Sequence, residues 1–365
     1  MKMKKKKRVA IVADYFGDLG GVTNNLIHLV SALNSVGITP DIYAYSIDQN
    51  YEENIYKERK EKVGFTVSRM LKFEVKRFAL YKPFLYYFIP NFNPAEYDFV
   101  YDFSGLYPPY DHEGLFFIYY DYWSEFEEAG WKTLYRLPYK LFLHGFTKRM
   151  FGKKMEFCSQ SKFVQKVMKK NYGVNTELVY SPVSLKKFSS GKKGGRSGVV
   201  SLARFEPYKR QLEQVQVIGR TGIEFFVCGS YVNKEYYKKC VDFVKENKLA
   251  NVHIKPFVPF EELKKIMAES KYFVHCFARE HFGLCTAEAI SAGLIPIVPD
   301  CGGSVEIVPV PSLRFKEMSE IPGIIRELEK KSEGDIDAIR RKLKKHVEQY
   351  DESAFKEKML SYLNS

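Results

Sequence analysis

Two short stretches combine residue types that could hold a phosphorylated sugar. The first, Arg279-Glu-His-Phe-Gly-Leu-Cys-Thr-Ala-Glu288, sets two carboxylates, Glu280 and Glu288, eight residues apart around Gly283. Gly283 falls where a chain must pass close to a ligand or turn into a helix. Helix starts present unpaired N–H groups, so Gly283, Leu284 and their neighbours could cradle a phosphate or sugar hydroxyls. Glu288, one turn inside, could accept two hydrogen bonds from a vicinal diol. The plainer alternatives are a dipole partner in the first turn for Glu280 and a solvated helix position for Glu288. The second stretch, Leu202-Ala-Arg-Phe-Glu-Pro-Tyr-Lys-Arg210, delivers Arg204 and Lys209 to a loop between a strand and a helix. An arginine fork and a lysine point charge suit a diphosphate, against the alternative of a surface ion pair with Glu206. A third, Gly17-Asp-Leu-Gly20-Gly21-Val22, is a glycine turn without the G-x-G-x-x-G spacing or a Walker lysine.

The elements that must position these residues alternate in period. Apolar runs of buried-strand type lie at 9–13, 41–45, 99–101, 115–119 and 157–158, with helical patterns at 22–36, 133–146 and 162–170. A glycine-, serine- and lysine-rich linker follows at 189–198. The rhythm then restarts, with strands at 198–203, 225–228, 252–254, 272–275 and 295–298 and helices at 209–219, 234–247, 260–269 and 284–292. A helical stretch covers 317–363. Strand–helix alternation predicts parallel sheets covered on both faces. Two Rossmann-like, doubly wound α/β domains in tandem, 1–185 and 196–350, would place a ligand cleft between them, at the carboxyl ends of both sheets. A length of 365 residues fits two domains at roughly 150 residues each.

The net charge of +13 is local, gathered in the run from Lys2 to Arg8 and in five basic residues over 186–196. Such clumps favour an anionic membrane surface or an anionic small ligand over a nucleic acid, which calls for a continuous basic face. The six cysteines form no CxxC pair, which argues for reduced thiols in a cytosolic chain rather than a zinc site or a disulfide framework. No leader and no spanning helix are read. Residues 66–89 mix Arg69, Lys72 and Lys76 on one helical face with Val67, Met70, Leu71, Val75 and Phe78 on another. That is the pattern either of a helix lying on a bilayer or of one packed on a sheet.

Taken in order, these pieces resemble the GT-B glycosyltransferases, specifically the retaining family 4, glycosyl transferases group 1. The resemblance runs over nearly the whole chain. It rests on Gly20-Gly21, Cys158-Ser-Gln-Ser161 with Phe163 and Tyr172-Gly173, Tyr180-Ser-Pro182-Val183, and Arg204 with Lys209. Glu280 and Glu288, Gly293, and Gly302-Gly303 with Glu306 complete it. The stretch Ala292-Gly-Leu-Ile-Pro-Ile-Val298 has one residue more between Gly and Pro than the commoner family form. In that detail it is similar to mannosyltransferases that elongate dolichol-linked oligosaccharides.

The resemblance implies a GT-B fold, with residues 351–365 forming a helix that packs back on the N-terminal domain. It implies transfer of a hexose from a GDP- or UDP-sugar with retention, needing no cofactor and no obligatory metal. Arg204 and Lys209 would hold the diphosphate, Glu280 the sugar and Glu288 the ribose. Backbone N–H groups of Phe282, Gly283 and Leu284 would meet sugar and phosphate, and Gly20-Gly21 would let the acceptor domain approach the donor. Many relatives place a histidine near the acceptor where this chain has Tyr119, Tyr120 and Asp121. These three become acceptor-side candidates, with Asp121 serving the acceptor hydroxyl, against packing and a helix cap as the alternative. The usual Lys-Gly reads Lys209-Arg210, which predicts a stiffer loop. The expected enzyme is cytoplasmic, peripheral at the inner membrane face, and acts on a lipid-linked or cell-envelope glycan. The alternatives are a soluble acceptor, a nucleotide-sugar epimerase, or a basic nucleic-acid-binding module.

Overall fold

The computed structural model describes residues 7–17, 20–53, 63–71, 85, 91–105, 110–119, 137–138, 141, 154–188, 195–231 and 233–364. The chain forms two units, residues 1–182 with 352–365, and residues 183–351.

Among the described residues, unit 1 holds seven parallel strands: β1 (Val9–Phe16), β2 (Asp41–Ile47), β3 (Thr66–Arg69), β4 (Phe99–Phe103), β5 (Gly114–Ile118), β6 (Met155–Ser159) and β7 (Glu177–Leu178). Their order is β3-β2-β1-β4-β5-β6-β7. All five residues of β4 and of β5 are buried. They are apolar apart from Asp102 because both faces of a central parallel strand are covered. Helix α1 (Gly21–Ser35) covers one face with Leu26, Leu29, Val30 and Leu33. Helix α2 (Lys162–Tyr172) packs Val164 and Met168 on the other. Its start is capped by Ser161, whose Oγ accepts from Val164 N at 3.1 Å, and it ends at Gly173 with φ +70°.

A second helix, Glu352–Tyr362, completes the α1 face with Phe355, Met359 and Tyr362. Tyr101 donates to the Met359 carbonyl at 2.6 Å, and His28, wholly buried in α1, lies 3.0 Å from Glu352 Oε2. Burying those three side chains is worth roughly 1.5–3 kcal/mol each.

Unit 2 repeats the scheme with β8 (Val199–Leu202), β9 (Phe225–Gly229), β10 (Val252–Pro256), β11 (Tyr272–Val274), β12 (Ile295–Pro299) and β13 (Arg314–Phe315). All strands are parallel, in the order β10-β9-β8-β11-β12-β13. Its helices are α3 (Gln211–Ile218), α4 (Lys234–Glu246), α5 (Phe260–Glu269), α6 (Leu284–Ser291) and α7 (Ser304–Ile307), followed by Ile321–Glu329 and Glu333–Val347. Each sheet reverses its winding beside its first strand, between β1 and β4 in unit 1 and between β8 and β11 in unit 2. In this topology ligands bind there, outside the carboxyl ends of the strands.

Several expectations change at this level. The helix expected over 66–89 begins instead as the edge strand β3, with Met70 and Leu71 buried behind it. Parallel pairing with β2 through Ile42↔Val67 and Ala44↔Arg69 overrides the helical spacing of those residues; 72–84 and 86–90 lie outside the described residues. Residues 183–185, read with the first domain, and 186–188, left between the two domains, belong to unit 2. There Val183 bridges Asp351, and Phe188 is a core side chain beside Val200 and Cys228. The end of the expected linker is fixed: the Arg196 guanidinium donates to the carbonyls of Met267, Ser270 and Ala292 at 3.1, 3.2 and 2.6 Å. Ser189–Gly194 and the pattern at 133–146 fall largely outside the described residues. Of the basic N-terminal run, Lys7 donates to the Leu363 carbonyl, and Arg8 N donates to Asp98 Oδ2 at 2.7 Å with its guanidinium 5.0 Å over the Tyr97 ring. Among the described residues no helix is long and apolar enough to cross a membrane.

Candidate active site

The two motifs of the second half meet at the switch point of unit 2. Strand β8 ends at Leu202 and opens the loop that carries Arg204 and Lys209. Strand β11, its neighbour in the sheet, ends at Val274 and opens the loop that carries Glu280 and Gly283. Lys209 Nζ donates to Glu280 Oε2 at 3.1 Å, closing a pair whose members are 71 residues apart in sequence. The ammonium also lies 4.3 Å from the centre of the Phe277 ring, a cation–π contact. This pairing replaces the alternative of a surface pair with Glu206. Arg204 is exposed, and among the described residues its guanidinium has no hydrogen-bonding or ionic partner.

The loop between β8 and α3 is held by buried amides. Gln211 Nε2 donates to the Arg204 carbonyl at 2.6 Å and Gln214 Nε2 to the Lys209 carbonyl at 2.9 Å. Gly229, at the end of β9, is required here, since a Cβ would sit 1.8 Å from the Ala203 carbonyl oxygen. Arg210 takes φ +59°, the left-handed region in which glycine is at ease. A non-glycine residue there costs about 1–2 kcal/mol, so the departure from Lys-Gly leaves strain in the loop that carries Arg204 and Lys209.

Glu280 is almost buried, and burial alone would raise its pKa. The Lys209 charge and then His275 more than reverse this and hold the carboxyl well below the usual carboxylate range. The carboxyl is therefore ionised at every working pH. His275 Nε2 lies 2.9 Å from the same oxygen, Oε2, from a side chain only 7 % exposed. Burial pushes His281 down to about 4, against the opposing pull of Glu280, so that ring is neutral. Burial also pushes the Cys285 thiol up to about 12, with Glu288 and Glu280 adding to it.

Gly283, at φ +111°, is the cap residue of α6, and its carbonyl receives the N–H groups of Thr286 and Ala287 at 3.0 Å. Phe282 is buried, its ring edge-on to Tyr350 at 5.3 Å. Leu284 opens the helix half-buried, and Glu288 is half-buried one turn further on. Gly302 and Gly303 press on the Glu280 loop: Gly303 N donates to the Glu280 carbonyl at 2.6 Å. A Cβ at position 302 would lie 2.8 Å from the Ala278 oxygen, and one at 303 would lie 2.6 Å from the His281 oxygen.

In unit 1 the carboxyl edge carries a buried amide–hydroxyl network. Gln160 Nε2 donates to the Tyr119 carbonyl, Ser181 Oγ donates to Gln160 Oε1 at 2.7 Å, and Asn25 Nδ2 donates to Ser181 Oγ at 2.9 Å. It joins the stretches 158–161 and 180–182 to the helix begun by Gly20 and Gly21; Asn24 also donates to the Pro182 carbonyl at 3.1 Å. Tyr119 is a core residue, 9 % exposed, so its ring is packed rather than displayed. Tyr120 and Asp121 lie outside the described residues. Glycine 20 caps α1 in extended backbone with φ −84°.

Two groups were missed from the sequence. His275 sits five residues before Glu280 at the end of an apolar strand, a position where only an imidazole stands out. Asp102 is the one acid inside the apolar β4; it accepts from Ser104 N at 2.8 Å and from Tyr110 Oη at 2.5 Å. Burial pushes its pKa up to about 6, with the Ser104 and Tyr110 hydrogen bonds opposing.

Residues 183–309 match the family model described as glycosyl transferases group 1. A GDP-Man:Man(3)GlcNAc(2)-PP-Dol alpha-1,2-mannosyltransferase from Xenopus laevis is 27 % identical over 153 residues, which is 37 % of this chain and 32 % of that protein. Its Dictyostelium discoideum counterpart is 23 % identical over 225 residues, covering 55 % and 44 %. The chain thus spans less than half the length of these curated relatives. Among solved structures, Anabaena HepE in complex with UDP and glucose superposes with a TM-score of 0.73 at 15 % identity, covering 98 % of this chain and 99 % of that one. A glycosyltransferase from Rickettsia africae superposes at 0.71 with 13 % identity and 98 % of each chain covered. The chain therefore has the GT-B fold of glycosyltransferases. Within it, residues 183–309 of unit 2 are the part similar to glycosyl transferases group 1, and the curated relatives it resembles are mannosyltransferases.

Proposed function

We propose that the protein is a retaining glycosyltransferase of family 4 that moves a hexose from a nucleoside diphosphate sugar to a glycan on a lipid carrier. The observation that carries this reading is the Lys209–Glu280 pair at the switch point of unit 2. It places a cation suited to a diphosphate against a buried, ionised carboxylate suited to sugar hydroxyls, two groups that a donor would span. Both curated relatives are named for GDP-mannose and a diphosphodolichol-linked acceptor, which makes GDP-mannose the first donor to test.

In this reading Arg204 and Lys209 neutralise the charge that develops on the leaving diphosphate, a preorganised electrostatic role. That assignment leaves no step that needs a metal. Glu280 receives the hydroxyls of the transferred sugar and Glu288 those of the ribose. The N–H groups at the start of α6 face sugar and phosphate. The bond from the anomeric carbon to the phosphate oxygen breaks as the acceptor oxygen bonds on the same face. The acceptor proton passes to the departing phosphate oxygen. Unit 1 would carry the acceptor. Its helix α2 exposes Lys162, Lys166, Lys169 and Lys170 with no acidic residue among them. An anionic bilayer at the cytoplasmic face would meet such a surface, at about 1 kcal/mol per basic residue near the surface.

A thermal-shift panel of GDP- and UDP-hexoses tests the donor. A ligand at a hundred times its Kd stabilises by about 2.7 kcal/mol, and Lys209→Ala should remove that shift while the unliganded protein stays folded. No stabilisation by any nucleoside diphosphate sugar would overturn the reading. Flotation with anionic vesicles at low salt tests the membrane part separately.

A further inference from the structure

We propose that His275 is a positioning residue that keeps the Glu280 carboxylate in place when Lys209 turns from it to the donor diphosphate. The inference rests on the reading of Lys209 as the diphosphate ligand. It begins from a conflict in the unliganded site, where the Lys209 ammonium is already engaged. Glu280 Oε2 holds it at 3.1 Å and the Phe277 face at 4.3 Å. A diphosphate must draw that charge toward itself. As it does so, Glu280, 17 % exposed, loses its main counter-charge in a place with little room for water to replace it. Leaving a nearly buried carboxylate unpaired is costly, so the exchange is hindered unless another donor takes over.

His275 is built for that. Its Nε2 lies 2.9 Å from the same Oε2, within ion-pair distance. In this unliganded arrangement the contact is short but falls outside well-aligned hydrogen-bond geometry. The ring is buried at the end of β11, with its backbone N–H bonded to the Ile297 carbonyl, so it stays beside Glu280 when the loop adjusts. A small rotation of the freed carboxylate brings Oε2 onto Nε2–H. Among the described residues neither charged neighbour matches it: Arg279 is exposed, and His281 is kept neutral by its burial. Glu280 thus has two nitrogens beside one oxygen, the Lys209 ammonium that leaves on donor binding and the His275 imidazole that remains.

The test is a mutant cycle read by calorimetric titration with GDP and UDP, which carry the diphosphate but no sugar. His275→Phe should weaken binding about tenfold, because Lys209 can no longer leave Glu280 at low cost. Glu280→Gln removes the charge that retains Lys209. The His275→Phe/Glu280→Gln double variant should therefore return to within about threefold of Glu280→Gln alone, a coupling of ordinary size for groups in contact. His275→Gln, which keeps an N–H donor, should stay within about threefold of the parent protein. A merely structural role for His275 predicts instead that the double variant binds no better than His275→Phe. That result, or unchanged binding in His275→Phe, overturns the inference. Should His275→Phe fail to fold, His275→Leu takes its place in the same cycle. If the parent protein binds neither nucleotide, the function itself falls. If it binds, loses binding in Lys209→Ala, and is indifferent to His275, only this inference falls.

Discussion

Gly303→Ala isolates the contact that shapes the Glu280 loop. Residue 303 has φ −68° and ψ −19°, a conformation that alanine adopts freely, so the substitution carries no backbone strain. Its whole cost is contact. The new Cβ would stand 2.6 Å from the His281 oxygen, 2.7 Å from the His281 carbonyl carbon and 2.8 Å from the Phe282 Cα. Carbon–carbon contacts want roughly 3.5 Å or more, so the loop must withdraw by about 0.8 Å. All three atoms are backbone, and no side chain can yield instead. The move stretches the 2.6 Å bond from Gly303 N to the Glu280 carbonyl, worth about 1 kcal/mol, and overpacking adds about 1–3 kcal/mol. At about 2–4 °C per kcal/mol for a domain of this size, Tm should fall by roughly 4–16 °C. Because a misplacement near 1 Å can cost a hundredfold in a positioned site, donor affinity should fall more than stability alone implies. Gly222→Ala is the matched control. It sits at φ +75° with nothing within 4 Å of its would-be Cβ, so it costs about 1–2 kcal/mol in conformation and should leave donor binding intact. Scanning calorimetry and nucleotide titration of the pair decide the matter. If Gly303→Ala is no less stable than Gly222→Ala and binds donor as well as the parent, the loop contact does not hold the site.

Titration offers further checks. Glu280's pKa is depressed, so its contribution to stability is present above the unfolded carboxylate value near 4.3 and is lost as pH falls below it; Glu280→Gln should blunt that acid limb in urea melts. His281 is depressed to about 4, so between that value and about 6.5 the unfolded chain binds the extra proton and stability drops as pH is lowered. His281→Gln should flatten this window. Asp102 runs the other way: raised to about 6, its carboxyl stabilises at low pH and loses that advantage as pH climbs from about 4 through 6. Asp102→Asn should remove this slope in denaturant titrations across that range. Arg210→Gly should relieve the left-handed strain at the cost of an exposed 3.3 Å pair with Glu213. Stability is then expected to change by less than about 1 kcal/mol, since the unfolded chain also gains freedom.

The alternating periods were enough to read the long buried strands and four helices of unit 2, though not the short Ser304–Ile307 or the breaks within 317–363. Phe260–Glu269, for one, falls where its spacing places it. The short edges were not legible. Arg314–Phe315 and Glu177–Leu178 are two residues long and owe their strand form to a neighbour's hydrogen bonds rather than to a pattern of their own. Val67 and Arg69 fitted a helix and became β3 because β2 offered an open edge. In the site, the spacing of Glu280 and Glu288 and of Arg204 and Lys209 was visible as chemistry. The union of the two motifs through Lys209 and Glu280 is set by the adjacency of β8 and β11, which no local spacing encodes. His275 stayed hidden for the same reason, since a lone histidine in an apolar strand acquires meaning only from what faces it.

The helix Glu352–Tyr362 bears on how the chain is made. Among the described residues, the part of the α1 face that Phe355, Met359 and Tyr362 cover stays open until they exist. Those residues emerge only after the whole of 183–351, which is contiguous and can close its own core. During vectorial synthesis, at about 5–20 residues per second, the first-made half therefore waits exposed while the later-made half finishes. Order of appearance and order of completion are reversed. A nascent chain halted near residue 350 should be a substrate for chaperones through its N-terminal half.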